Sequence, residues 1–67
     1  MTFEEACPGT WFYVLGFPEE IFIKVSDKVI MMARCYRFLA YNAIDLRYGL
    51  PKQLNLNEKI VVIDKPF

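Results

Sequence analysis

Short apolar segments alternate with turn residues along this chain, at a spacing of about ten residues. Each segment is rich in β-branched and aromatic residues, a composition typical of β-strands. Gly16, Pro18, Gly49 and Pro51 mark turns between them. The five segments are "TWFYVLG" at 10–16, "IFIKVS" at 21–26, "VIMMARCYRF" at 29–38, "YNAIDLR" at 41–47 and "IVVID" at 60–64.

Five such strands are predicted to form an antiparallel sheet that closes on itself, because an open sheet would leave two unpaired edges. We therefore expect an all-β fold, a small five-stranded antiparallel barrel that occupies residues 1–67 as a single domain. Thr2, Glu4 and Glu5 suit the first turn of a helix, but Cys7-Pro8-Gly9 follows at once. At most one short helical turn is predicted at the N-terminus.

The secondary structure of the segment at 29–38 is the hardest of the five to predict. Met31, Met32, Ala33 and Arg34 are compatible with a helix, whereas the β-branched and aromatic residues around them favour a strand, and no capping residue opens a helix. We predict a strand, with a helix over 29–39 as the alternative. The residues predicted to point into the barrel are Phe12, Val14, Ile21, Ile23, Val25, Met31, Ala33, Ile44, Leu46 and Val62.

The aromatic content exceeds what a small core can hold. A chain of 67 residues buries only about 60% of the surface that its unfolded form exposes, yet this one has six Phe, four Tyr and one Trp. If Phe12 and Val14 point inward, Trp11 and Tyr13 point outward, where such rings mark interfaces. We predict a protein partner, either a host protein or a second copy in a homo-oligomer. The predicted partner-binding residues are Trp11, Tyr13, Tyr36, Tyr41 and Tyr48.

The eight basic and eight acidic residues cancel, so net charge indicates neither nucleic-acid nor membrane binding. Their distribution is uneven, because residues 1–23 hold four Glu and no basic residue. A nucleic-acid-binding barrel is the alternative hypothesis, in which basic groups contact phosphates while Tyr36 stacks on an unpaired base. Its basic residues would be Lys24, Lys28, Arg34 and Arg37.

The sequence offers little for catalysis. It has no histidine, the usual general base near neutral pH and the commonest metal ligand. Cys7 and Cys35 therefore form neither a cysteine–histidine pair nor a zinc site, and we expect two free, mostly buried thiols. The three glycines form no phosphate-binding loop. We predict that the protein is not an enzyme and takes no metal or cofactor.

Polar residues interrupt the segment "YNAIDLRYG" at 41–49. With Ile44 and Leu46 inward, Asn42 shares their face and is predicted to fix a turn through side-chain-to-backbone hydrogen bonds. Asp45 and Arg47 are predicted to face water as an ion pair that adds little to stability.

The phrases "TFEEACPGTWF", "FIKVSD", "YNAIDLRYG" and "EKIVVID" occur in an order that resembles small proteins of bacteriophages and mobile elements. The resemblance implies an SH3-like barrel and a phage or prophage setting. It implies no activity, because most such proteins are uncharacterised. The segment at 29–39 is more apolar than that family's pattern. The matching positions are Phe3, Gly9, Phe12, Lys24, Ser26, Asp27, Asn42, Asp45, Leu46 and Gly49.

These features predict a small binding module, an accessory protein of a phage or mobile element that docks on a host or phage protein. No apolar run approaches the ~20 residues that cross a bilayer, and the acidic pair Glu4-Glu5 is unlike the start of a signal peptide. We therefore expect a cytoplasmic protein, in the host cell if it is phage-encoded. A structural subunit of a larger assembly is a further alternative.

Overall fold

The computed structural model describes residues 1–34 and 36–63, and within these ranges the fold is all-β, as predicted. Seven strands form two antiparallel sheets, one ordered β6-β5-β2-β1-β7 and the other a β3-β4 pair. No helix long and apolar enough to cross a bilayer occurs in the described part of the chain. The strands are β1 Trp11–Val14, β2 Ile21–Lys24, β3 Ile30–Arg34, β4 Arg37–Tyr41, β5 Ala43–Asp45, β6 Leu50–Lys52 and β7 Ile60–Ile63.

The prediction of a closed five-stranded barrel is wrong. Strands β6 and β7 are the two edges of the larger sheet and do not pair with each other within the described ranges. The chain between β2 and β5 leaves that sheet as a separate hairpin, which we call the arm (β3 and β4). Residues that were expected to complete the barrel wall therefore form a separate two-stranded sheet.

A large bulge between β2 and β3 separates the arm from the larger sheet. Lys24 lies opposite Ala43 and Ile30 lies opposite Tyr41, so five residues on one side face a single residue, Asn42, on the other. The four extra residues bend the ladder, as bulges do. Asn42 is the pivot, because its carbonyl oxygen accepts hydrogen bonds from the backbone N–H groups of both Val25 and Ser26.

The segment at 29–38 is extended, as predicted, and the helical alternative is wrong. The single strand that we expected is, however, two strands joined by a turn at its centre. Tyr36 lies in this turn with a φ of 66°, and Cys35 falls outside the described residues. Because the run is apolar from Val29 to Ala33, its pattern gave no sign of where the chain reverses.

The core lies on one face of the larger sheet, beneath the N-terminal segment. The Phe12 ring meets Phe3 edge-on at 5.5 Å and stacks on Phe22 at 5.6 Å between ring centres. Val14 and Leu54 pack against this cluster. The buried residues of the core are Phe3, Ala6, Phe12, Phe22, Ala43 and Ile60.

The predicted inward set is correct for β1 and wrong for most other strands. Phe12 is buried and Val14 packs against the core, but β2 turns Phe22 inward in place of Ile21 and Ile23. Register explains the error, because Phe12 lies opposite Phe22, and neighbours on paired strands share a face. The residues wrongly placed in the core are Ile21, Ile23, Val25 and Ile44, which are half-buried, and Met31, Ala33, Leu46 and Val62, which are exposed.

Candidate protein-binding surface

The arm presents an apolar face to solvent. Met31, Ala33 and Phe38 lie on one side of the β3-β4 ladder, where Ala33 is opposite Phe38. All three are exposed, Met31 by 61% and Phe38 by 74%. We call these three residues the arm face. The sequence analysis assigned Met31 and Ala33 to the core.

The opposite side of the arm turns toward the rest of the protein. Its four apolar residues are half-buried, and β4 lies against the edge strand β6. A two-stranded hairpin is marginally stable by itself in water, so burying one side is what holds the arm in place. The residues on this side are Ile30, Met32, Leu39 and Tyr41.

Tyr36 and Arg37 form the tip of the arm. The Tyr36 side chain is fully exposed and its φ of 66° places it in the left-handed region. That conformation costs a residue with a Cβ roughly 1–2 kcal/mol. Arg37 follows at once and is also exposed. An exposed aromatic residue and an exposed basic residue thus follow one another at the turn of the hairpin.

The five aromatic residues predicted to bind a partner lie on different elements. Trp11 and Tyr13 are half-buried on the face of the larger sheet opposite the core. Tyr41 is half-buried at the base of the arm, and Tyr36 is at its tip. Tyr48 is exposed in the turn between β5 and β6.

The face that carries Trp11 and Tyr13 is apolar throughout, and we call it the outer face. Cross-strand pairs place Trp11 beside Ile23 and Tyr13 beside Ile21, so the two rings share a surface with residues that we had assigned to the core. Every member is half-buried. The outer face consists of Trp11, Tyr13, Ile21, Ile23, Ile44, Pro51, Val61 and Ile63.

Lys24 does not present its charge to a partner. Its side chain is 1% exposed, and its Nζ donates hydrogen bonds to the carbonyl oxygens of Phe3 and Ala6, at 2.9 and 2.6 Å. The carboxylate of Asp27 lies 2.8 Å away. The ammonium group also sits 4.7 Å from the centre of the Phe3 ring, a cation–π contact. Lys24 is therefore not a candidate for contact with nucleic-acid phosphates.

The other three basic residues of that set belong to the bulge and the arm. Lys28 is exposed in the bulge before β3. Arg34 ends β3 and lies opposite Arg37 in the ladder. Lys28, Arg37 and Tyr36 are the remaining candidates for contact with phosphate, and the side chain of Arg34 lies outside the described part of the structure.

Asn42 fixes a loop, as the sequence predicted. Its Nδ2 donates to the Leu54 carbonyl and its Oδ1 accepts from the Leu54 N–H, both at 2.9 Å. The amide thus imitates one rung of a β-ladder. It ties the pivot of the arm to the segment that follows β6.

Asp45 and Arg47 differ from the expected ion pair at the rim. Asp45 is buried, and its Oδ1 accepts a hydrogen bond from the backbone N–H of Arg47 at 2.8 Å, an Asx-type turn. The Arg47 guanidinium instead lies 4.6 Å from the centre of the Tyr48 ring. Both residues organise the turn that leads to Gly49, whose φ is 67°.

A cleft of about 320 Å³ opens beside the core. Apolar side chains line it, with two half-buried carboxylates, Glu20 and Glu58, and one exposed lysine, Lys52. Neither carboxylate makes an ion pair or a side-chain hydrogen bond in the described part of the chain. The apolar lining residues are Val14, Phe17, Phe22 and Leu54.

Cys7 carries a free thiol, as predicted, but it is exposed and not buried. It lies in the turn that precedes β1, outside the core. Among the described residues, no three Cys, Asp or Glu side chains are grouped closely enough to hold a metal ion.

The arm face is the feature that sequence reasoning missed. The signal was present in the unbroken run Ile30-Met31-Met32-Ala33, because alternate residues of a strand point to opposite sides. A single small core can cover only one of those sides.

Comparison with known proteins gives no family. No family model, curated protein or solved structure matches the chain. The resemblance to small phage proteins therefore stays a prediction that rests on the phrases quoted above.

Proposed function

We propose that this protein is a non-enzymatic binding module, an accessory protein of a phage or mobile element that docks on a host or phage protein through its arm face. The observation that carries the proposal is the exposure of Met31, Ala33 and Phe38 on one side of a hairpin whose other side is already packed. We place its action in the cytoplasm of the host cell, as the sequence predicts.

The energetics support an interface at this point. Leaving a large apolar side chain exposed forfeits about 1.5–3 kcal/mol of hydrophobic stabilisation. The Phe38 ring alone offers roughly 150–250 Å² of contact area, about a quarter of the ~800 Å² that each partner contributes to an ordinary interface. Met31 adds a flexible, polarisable side chain that adapts to different partner surfaces.

The proposal is tested by capture and then by direct binding. Wild-type protein and a Phe38→Ser variant are used to capture proteins from the host, and a captured protein is purified and titrated against both. We expect the variant to bind at least ~10-fold more weakly, because central aromatic residues dominate interface energetics. A Leu15→Ser variant is the matched control, since Leu15 is 58% exposed in the turn after β1. Equal affinity of wild type and Phe38→Ser would refute the proposal.

Nucleic-acid binding is a second candidate, favoured by the exposed Tyr36 ring next to Arg37. Single-stranded oligonucleotides would be titrated at several salt concentrations with wild type and with Tyr36→Ala. Binding through phosphates weakens steeply as salt is added. Weak binding that salt does not change would eliminate this candidate.

A further inference from the structure

We propose that the cleft beside the core is a self-association site, which receives the tip of the arm from a second copy of this chain. The inference concerns a different surface from the arm face and does not depend on the docking function proposed above. It rests on the complementarity of two features of the same molecule. One is the cleft, which has aromatic and acidic residues, and the other is the exposed tip, which has an aromatic and a basic residue.

The residues that line the cleft would favour a ligand with an aromatic group and a positive charge close to it. Phe17 and Phe22 give it aromatic walls, while Glu20 and Glu58 add two carboxylates. Both glutamates are half-buried, and neither carboxylate makes an ion pair in the described residues. Lys52 offsets only one of these two charges. A cationic ligand would restore the balance.

The tip supplies that chemistry. Tyr36 is fully exposed with its backbone in the left-handed region, and Arg37, the next residue, is exposed as well. Because the ring is fully exposed, it does not occupy the cleft of its own chain. The ring and the neighbouring cation are accessible to the cleft of a second molecule, whose two glutamates complement the charge of Arg37.

The charge distribution along the sequence agrees with head-to-tail contact. Residues 1–23 hold four Glu and no basic residue, whereas residues 28–44 hold Lys28, Arg34 and Arg37 and no acidic residue. Tip and cleft are different surfaces, so the contact is heterologous, and successive copies form a ring or an open chain. The zero net charge of the protein does not oppose such assembly.

Sedimentation velocity tests this arrangement over protein concentrations from micromolar to millimolar. We expect wild type to associate with increasing concentration, and added salt to weaken the association because part of the contact is ionic. A tip variant, Tyr36→Gly with Arg37→Glu, and a cleft variant, Glu20→Lys with Glu58→Lys, should each associate at least ~10-fold more weakly. Circular dichroism verifies that both variants are folded. If the cleft variant is unfolded, the double variant Glu20→Gln with Glu58→Gln takes its place.

Mixing the two variants provides the decisive measurement. The tip variant retains an intact cleft and the cleft variant retains an intact tip, so the mixture should form one-to-one dimers that neither forms alone. A wild type that stays monomeric at millimolar concentration, or a mixture that stays monomeric, would overturn the proposal.

A Met31→Ser, Phe38→Ser variant separates this proposal from the docking function. Self-association that survives these changes supports the tip-and-cleft contact, whatever the outcome of the capture experiment. Self-association that disappears with them would assign the interface to the arm face and would also overturn the proposal.

Discussion

The ammonium group of Lys24 donates a hydrogen bond to the carbonyl oxygen of Ala6 at 2.6 Å, across 18 residues of chain. Lys24 also donates to the Phe3 carbonyl and lies over the Phe3 ring. One cation on β2 thus holds the N-terminal segment against the sheet. Phe3 and Ala6 cover Phe12 and Phe22 because this contact positions them.

Replacing this lysine should destabilise the fold. We expect Lys24→Met to lower the free energy of unfolding by about 2–4 kcal/mol, because the carbonyl groups of the N-terminal segment lose a buried charged donor. Urea denaturation followed by tryptophan fluorescence measures the change. Lys28→Met is the control and should stay within about 0.5 kcal/mol, since Lys28 is exposed. Equal effects of the two substitutions would contradict the structural role of Lys24.

The two hydrogen bonds between Asn42 and Leu54 predict a second loss of stability. Asn42→Ala should lower the free energy of unfolding by about 1–3 kcal/mol, because two partly buried backbone groups of Leu54 lose their partners. The exposed Asn57, changed to Ala, is the matched control. Hydrogen exchange should show faster exchange of the Leu54 amide in Asn42→Ala alone. An unchanged exchange rate would mean that another group satisfies this amide.

Glu5 predicts a dependence of stability on acid pH. Hydrogen bonds from the backbone N–H and the hydroxyl of Thr2 lower the pKa of the Glu5 carboxyl below its usual 4.5. A lowered pKa in the folded state contributes stability above the unfolded-state pKa, and that contribution is lost as pH falls through the folded-state value.

Wild type should therefore exceed Glu5→Gln in stability at neutral pH, and the difference should shrink as the pH falls from 5 toward 3. Thermal melts at intervals of pH measure it. Glu19→Gln, which removes an exposed carboxylate that has no such hydrogen bonds in the described structure, should show no such trend. A difference that stays constant over this range would exclude the contribution from Glu5.

The backbone of Tyr36 predicts a substitution that increases stability. Tyr36→Gly should raise the free energy of unfolding by about 1 kcal/mol, because glycine adopts a φ of 66° without the steric cost that a Cβ imposes. Tyr36→Ala keeps the Cβ and serves as the control, with no gain expected. If both variants are equally stable, the left-handed conformation carries no strain in solution.

Local pattern determined much of the fold. The β-branched and aromatic segments form strands near the predicted places, and turns at Gly16 and Gly49 adopt positive φ as short glycine turns require. Asn42 also binds backbone groups as its position suggested. These features depend on neighbours in sequence, which alternation and turn chemistry describe directly.

Alternation and turn residues did not predict which face of each strand is buried. The segment "IFIKVS" has apolar residues on both sides of the strand, and only its pairing with β1 places Phe22 against Phe12. Lys24 looked like a surface charge because lysines seldom lie inside a protein. Its burial depends on the carbonyl groups of Phe3 and Ala6, which lie about 20 residues earlier in the chain.

Residue spacing, β-propensity and turn residues are local properties, and they are enough to specify short antiparallel strands. The open sheet with its separate two-stranded arm depends on contacts that form only when the chain folds. That outcome depends on the four extra residues between Lys24 and Ile30 and on an N-terminal segment held by one buried charge. Both are relations between distant parts of the chain, which no pattern of neighbouring residues contains.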